Sequence, residues 1–102
     1  MIVREWRGRA SRANREAYPG YFRRKLLAEL ESTESLLGAT LENEAGEQVE
    51  FVVLTRWAAM SAIAGFAGRD PDRAVVEPEA VAALLSFDSL VRHYRVLEDF
   101  SD

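Results

Sequence analysis

The stretch Val49–Gly68 constrains the fold of this chain more than any other part of the sequence. Its first residues, Val49–Leu54, are almost all apolar and rich in β-branched and aromatic side chains, which is typical of a strand buried on both faces. Apolar residues then recur at helical spacing over Ala58–Ala67, and Gly68 is placed to end that helix in a left-handed cap. The sequence therefore predicts a central strand that leads, through Trp57, into a short amphipathic helix.

The remaining pattern predicts five further elements, which are a strand over Ile2–Arg9, a helix capped by Ser11, a strand over Leu36–Glu44, a helix from Pro78 through Leu85 and a strand over Ser86–Leu97. The first helix is either kinked at Pro19 or starts near Tyr18 with Pro19 in its first turn. The order predicts one α+β domain over residues 1–102, with a ferredoxin-like βαββαβ antiparallel sheet and helices on one face.

The central strand also predicts a partner. Phe51 and Val53 point to one face of the sheet, and Val52 and Leu54 point to the other. Because helices on one side cover only one of these faces, we expect a second copy of the chain to bury the other and form a homodimer.

Composition excludes several classes of function. The chain has 102 residues, a net charge of −4, no cysteine and one histidine. Disulfides, thiolate catalysis and a multi-histidine metal site within one chain are thereby excluded. The acidic balance disfavours nucleic acid and anionic membranes as partners. The first residues hold no apolar signal-like run, and no stretch is long enough to span a membrane, so we expect a cytoplasmic protein without cofactor or metal.

Three segments of the chain resemble a known family, namely MIVREWRG at the start, LTRWAAMSAIAGFAGRD in the middle and SFDSLVRHYRVL at the end. From about Met1 to Leu97 the chain resembles the antibiotic biosynthesis monooxygenase-like domains of the dimeric α+β barrel superfamily. The resemblance implies a homodimer in which two sheets pack face to face. It also implies a cofactor-independent monooxygenase acting on an aromatic or polyketide-like small molecule. The alternative is a non-catalytic small-molecule-binding or stress-associated protein on the same scaffold.

The heme-degrading branch of that family resembles this chain in layout but not in its functional residues. Its asparagine, tryptophan and histidine correspond here to Trp6, Phe66 and Val76, none of which can ligate iron as needed. The histidine of this chain, His93, lies on the last predicted strand instead. We therefore expect no heme degradation.

An oxygenase of the implied kind needs a dry pocket, a proton acceptor and donors for a developing oxyanion. The candidate catalytic residues are His93, Trp57 and Tyr94. Histidine changes charge near neutral pH, so His93 is a candidate general base; the alternative is a structural histidine held by a hydrogen bond. Trp57 either donates its indole N–H to a substrate or anchors the second helix on the sheet.

The candidate substrate-pocket residues are Trp6, Tyr18, Phe22 and Phe66. Trp6 either enters a cavity on the helix side of the sheet or packs at the dimer interface. Tyr18 and Phe22 belong to an aromatic cluster on the first helix, which is either core or part of a ligand pocket.

Overall fold

An antiparallel sheet with helices packed against it forms the body of the structure. The computed structural model describes residues 1–26, 36–43 and 48–98, with side chains described for 1–25 and 48–98. The strands are β1 (Ile2–Ser11), β2 (Leu36–Asn43), β3 (Gln48–Trp57), β4 (Ser86–Phe87) and β5 (Arg92–Arg95). The helices are α1 (Ala17–Tyr21), α2 (Met60–Ala67) and α3 (Pro78–Ala83). The predicted α+β class is confirmed.

Strands β1 and β3 are the centre of this sheet. They pair antiparallel over their whole lengths, from Ile2 opposite Trp57 to Ser11 opposite Gln48. Strand β2 pairs with the outer edge of β3, while β4 and β5 both pair with β1, so the strand order is β2-β3-β1 followed by β4 and β5. Since directly opposed residues share a face of the sheet, this register decides which side chains can meet.

The prediction of one continuous strand over Ser86–Leu97 is wrong, because the strand is interrupted. Strands β4 and β5 are separated by residues 88–91, and after Asp88, whose N–H still bonds to β1, the backbone pairs with the loop after α2 instead. There the Ala74 N–H donates to the Ser89 carbonyl at 2.9 Å, and the Val91 N–H donates to the Asp72 carbonyl at 2.8 Å. These two bonds fasten the loop of residues 69–77 against the sheet edge.

Pro19 lies in the first turn of the first helix, where a proline does not disrupt the helical hydrogen bonds. Helix α1 starts at Ala17, so Pro19 is its third residue, and its missing N–H would have had no helical acceptor there. The chain continues from α1 as a wider π-helical turn over Phe22–Leu26. Of the two forms left open by the sequence, the structure has the one with Pro19 in the first turn. Ser11 ends β1 and makes no side-chain cap bond, so its predicted capping role is wrong.

Two other helix boundaries follow the sequence closely. Helix α2 ends at Ala67, as predicted, and Gly68 has a positive φ of 85°, which a glycine adopts without strain. The predicted left-handed cap is wrong in detail, because the ψ of Gly68 is −152°, outside the left-handed helical region. Its start is two residues later than predicted, at Met60 rather than Ala58. Helix α3 starts at Pro78, whose missing N–H costs nothing at the first helical position.

The helices cover one face of the sheet, and the hydrophobic core lies between the helices and this face. On β3 this face carries Val49, Phe51, Val53, Thr55 and Trp57, all of which are buried. A larger cluster joins the first three to Tyr18 and Tyr21 of α1 and to Ala80 and Ala83 of α3, and a smaller one packs Trp57 on Ile63 of α2.

The other face of the sheet is more charged than β3 alone predicts, because β1 contributes Glu5, Arg7 and Arg9 to it. Arg7 pairs with Glu5 and Glu50, each at 3.2 Å, and Arg9 pairs with Asp88 at 2.6 Å. Val52 and Leu54 are half-buried among these ion pairs. We call this surface, formed by the outward residues of β1 and β3, the open face.

Several predicted features lie outside the described residues, namely the turn Glu44–Glu47, the polar link Glu31–Ser35 and residues 99–102 of the predicted acidic tail. Within the described ranges, no helix is long and apolar enough to cross a membrane.

Replacing Val49 with alanine should destabilise the fold by about 2 kcal/mol, because two buried methyl groups are lost and a cavity remains. Val49 is fully buried, whereas Val81, on α3, is 45% exposed and serves as the matched control. Val81→Ala should change the free energy of unfolding by only a few tenths of a kcal/mol. Urea denaturation measures both values, and equal losses in the two variants would contradict the burial described here.

Candidate functional site

A cavity of about 50 Å³ lies between the helix side of the sheet and the segments packed on it, and it opens to solvent on one side. Most of its lining is apolar or aromatic. The lining residues are Arg4, Trp6, Tyr18, Tyr21, Val53, Thr55, Phe66, Val75, Val76, Ala80 and Val91. The enclosed space holds a few waters or one small polar group, and it is smaller than the roughly 150 Å³ cavity that binds benzene in an engineered protein.

Arg4 places a buried cation at this cavity. The residue is 5% exposed. Its guanidinium donates to the carbonyl oxygen of Pro71 and to that of Arg73, the latter at 2.8 Å. Among the described residues no carboxylate forms an ion pair with Arg4. Burial lowers the pKa of Arg4, and the negative charge of Asp72, which raises it, is the smaller effect. A cation held by neutral groups in a low-dielectric site attracts anions strongly.

His93 is the third partner of Arg4. Its Nε2 lies 3.0 Å from Nη1 of Arg4, and its Nδ1 lies 3.2 Å from a carboxylate oxygen of Asp72. Because a guanidinium only donates, Nε2 accepts in this contact and the ring proton sits on Nδ1, directed at Asp72. His93 thus links the buried cation to an acidic loop residue, and it does not itself line the cavity.

Tyr18 brings a hydroxyl group to the cavity. The residue is 2% exposed, and its ring packs on those of Trp6 and Phe51 with centroids 5.5 and 5.3 Å apart. The hydroxyl has no hydrogen-bond partner among the described residues. Burial, the main cause, raises the pKa of Tyr18 far above 10.0, so the hydroxyl stays protonated and can donate.

Trp6 enters the cavity rather than the open face, which decides between the two positions left open by the sequence. Its Nε1 donates to the Asp88 carbonyl at 2.9 Å. Its ring lies across Gly8, where a Cβ would be 2.6 Å from the tryptophan ring. Gly8 therefore leaves the space that lets Trp6 lie flat against β1.

Trp57 acts as a structural anchor in the described structure. It is 1% exposed, packs on Phe66 with ring centroids 5.5 Å apart, and donates its indole N–H to the Thr55 hydroxyl at 2.8 Å. It holds α2 against the end of β3 and does not line the cavity.

The structure brings together only part of the predicted site. Trp6, Tyr18 and Phe66 line the cavity, whereas Phe22 packs beside Tyr18 in the core at a ring distance of 6.4 Å. Tyr94 is 45% exposed and lies on the open face, opposite Val3, while His93 lies on the helix side, opposite Arg4. His93 and Tyr94 therefore cannot act on one bound molecule within one chain.

Sequence reasoning missed Arg4 and Thr55. A signal for Arg4 exists, because it shares the inward phase of β1 with Trp6, Gly8 and Ala10, where a charged residue is out of place. The signal for Thr55 was weaker. It is a polar residue at the next inward-facing position of β3 after Phe51 and Val53.

Comparison with known proteins adds no relative. No family model matches the sequence, and neither a curated protein nor a solved structure matches it.

Within the described part of the chain, no cluster of three or more histidine, aspartate or glutamate residues could hold a metal ion.

The raised pKa of Tyr18 predicts an alkaline loss of stability. Between the ordinary tyrosine pKa of 10.0 and the higher native value, the native state keeps a proton that the unfolded state has lost. Stability should therefore fall as pH rises above about 10. In Tyr18→Phe this contribution is absent, so the difference in unfolding free energy between the two proteins should depend on pH only above that value. A difference constant from pH 7 to 11.5 would contradict the burial of a protonated hydroxyl.

Proposed function

We propose that this protein binds the acidic hydroxyl of a small aromatic compound in the cavity and oxygenates that compound without a cofactor. The observation that carries the proposal is the buried cation of Arg4 in a cavity walled by Trp6, Tyr18 and Phe66, with no carboxylate partner among the described residues. A guanidinium in a low-dielectric site favours the ionised form of a hydroxyl group. Because the enclosed space is small, the oxygen and adjacent carbons enter it and the remaining rings project through its open side.

Ionisation is the step that makes such a substrate reactive toward dioxygen. An anthrone-like CH2 group loses its proton to solvent and gives the anion of the hydroxyl form, whose negative charge is shared between the oxygen and that carbon. This anion is electron-rich enough to pass one electron to O2, and the resulting radicals combine at the carbon to form a C–O bond, after which the peroxide takes up a proton from solvent. The hydroperoxide then loses water and leaves a carbonyl group. One oxygen atom enters the product and the other leaves as water, so all electrons come from the substrate and O2. The protein's part is to stabilise the anion and exclude water.

The same proposal includes the fold family. We propose that the chain is an antibiotic biosynthesis monooxygenase-like domain with the ferredoxin-like βαββαβ arrangement. The strand order β2-β3-β1 followed by β4 and β5 supports this, as does the cover of helices on one face. Further support comes from Trp6, Phe66 and Val76, the three positions that correspond to functional residues of the heme-degrading branch, because all three line the cavity.

Within this proposal His93 positions Arg4 rather than accepting a substrate proton. Its Nε2 is already occupied by Arg4, and the ring does not reach the cavity lining. A protonated imidazole has no acceptor nitrogen, so protonation would remove the bond from Arg4 and place two cations side by side.

A non-catalytic small-molecule-binding protein is the second candidate. The small volume of the cavity, and the lack of a histidine or carboxylate among the described residues that line it, favour this alternative. The two functions are separated by oxygen uptake with a panel of phenols and anthrones, with added metal and chelator as controls. We expect uptake that survives the chelator and is lost in Arg4→Gln. Arg15→Gln, at an exposed position outside both the cavity lining and the open face, should keep the activity. Binding without uptake would leave the second candidate.

The role of His93 can be tested with a pair of variants. His93→Gln keeps an amide that can accept from Arg4 and donate to Asp72, and His93→Leu keeps neither. As a positioning residue, His93 should be replaced by glutamine with less than a threefold loss of turnover, and by leucine with a loss on the order of 10²-fold. Equal losses on the order of 10²-fold in both variants would instead make His93 a general base.

We also propose that two copies pack through their open faces to form a dimeric α+β barrel. The half-buried Val52 and Leu54 support this, since a monomer leaves them partly in water, and the charged residues around them already pair within one chain. The two apolar side chains are thus free to meet a second sheet.

Leu54→Lys should give a folded monomer, because the new ammonium lies opposite Glu5 in the register and is tolerated at a half-exposed site. Buried in a dimer interface, the same charge is costly. Leu85→Lys, at a position 60% exposed outside the open face, should keep the dimer. Light scattering at micromolar concentration measures the mass. A monomeric wild-type protein, or a dimeric Leu54→Lys variant, would refute the interface.

A further inference from the structure

The polar groups that line the cavity have an unusual common property, because each can donate a hydrogen bond and no acidic residue lies among them. The guanidinium of Arg4 has five N–H groups and no acceptor, and the hydroxyls of Tyr18 and Thr55 each carry one hydrogen. Such a lining is suited to a ligand group that only accepts.

Arg4 retains donors for a ligand. Its contacts with Pro71, Arg73 and His93 use Nη1 twice and Nη2 once. Nη1 has two hydrogens, which satisfy its two contacts, while Nη2 has a second hydrogen and Nε has one. These three partners are all neutral, so they satisfy hydrogen bonds without cancelling the charge. The negative charge of Asp72 acts on Arg4, but the Asp72 carboxylate contacts the imidazole of His93 and forms no ion pair with the guanidinium.

Tyr18 supplies the second donor. Its side chain is buried, yet the hydroxyl has no partner among the described residues, although every fully buried polar side-chain atom of those residues has one. The hydroxyl oxygen therefore retains contact with the cavity space. An unpartnered buried hydroxyl costs free energy, and a ligand acceptor would remove that cost.

Thr55 is the third donor by a simple count of its bonds. Its Oγ1 accepts the indole N–H of Trp57 at 2.8 Å, which fixes the oxygen and leaves its own hydrogen to donate elsewhere. Thr55 lies directly opposite Arg4 in the pairing of β1 with β3, so the two side chains share the same face of the sheet.

From these observations we infer that the cavity is a monoanion site, in which the ionised oxygen of a phenolate or of an arylcarboxylate binds to Arg4 and accepts from Tyr18. The single buried positive charge matches one negative charge, and the small volume matches one ionised group rather than a whole ring. The inference rests on the proposed site and names the charge of its ligand, but it does not require the oxygen chemistry.

The test compares charged and neutral ligands of equal shape by isothermal titration calorimetry. Benzoate and benzamide are one such pair, and acetate tests the ionised group alone. A phenolate is the second kind of anion named above, so 4-nitrophenol is titrated above and below the pH at which it ionises. Benzoate should bind at least 10-fold more tightly than benzamide, and 4-nitrophenol should bind more tightly as the anion. Equal affinity for benzoate and benzamide would overturn the inference.

Variants identify the residues that hold the anion. Arg4→Gln should weaken benzoate binding on the order of 10- to 100-fold, and Tyr18→Phe on the order of 5- to 10-fold. The control Arg15→Gln, at an exposed position outside both the cavity lining and the open face, should bind as the wild type does. Because Arg4 also holds the loop carbonyls, Tyr18→Phe is the decisive variant, as it removes only an unpartnered hydroxyl and should not lower the melting temperature. Unchanged benzoate affinity in Tyr18→Phe would overturn the inference.

Failure of this inference and failure of the proposed function are distinguishable. Benzoate carries no oxidisable hydroxyl, so its binding at Arg4 and Tyr18 would stand even if no phenol or anthrone supported oxygen uptake. Conversely, oxygen uptake that is lost in Arg4→Gln, together with equal affinity for benzoate and benzamide, would keep the oxygenase and refute the monoanion site.

Discussion

The guanidinium of Arg4 connects parts of the chain that are far apart in sequence. From the centre of β1 it bonds to the carbonyls of Pro71 and Arg73, and it meets His93 on β5. These contacts hold the loop of residues 69–77 over the sheet, where its valines close one wall of the cavity. Burying a cation costs free energy that hydrogen bonds to these carbonyls partly offset, so the loop conformation and the position of the cation depend on each other.

Aromatic packing determines the shape of the remaining walls. The rings of Trp6, Tyr18 and Phe51 stack in sequence between β1, α1 and β3, and Gly8 provides the space for the first of them. Trp6 and Tyr18 belong both to this aromatic packing and to the cavity lining, so the same contacts that build the core also form the apolar wall beside the buried cation.

The two faces of the sheet have different chemistry because β1 carries charged residues on its outward side. Arg7 and Arg9 point outward and meet acidic partners on β3 and after β4, whereas the inward side of β1 carries Trp6, Gly8, Ala10 and the buried cation of Arg4. Exposed ion pairs contribute little to stability. On the helix side, the same strand supplies both the buried cation of Arg4 and the Trp6 ring that lines the same cavity.

The sequence by itself determined the strand β3, the end of α2 at Gly68, the start of α3 at Pro78 and the α+β class, because periodicity, glycine and proline act locally. It also placed Trp6, Tyr18 and Phe66 among the pocket candidates, through their aromatic character. Only the tertiary structure decided that Tyr94 lies on the opposite face from His93, that the last strand is interrupted, and that Arg4 is buried. Those outcomes depend on which distant residues meet: Arg4 is separated by 67 residues from Pro71 and by 89 from His93. No local pattern encodes such contacts, since they arise from the register of β1 with its neighbours and from the loop that packs across them.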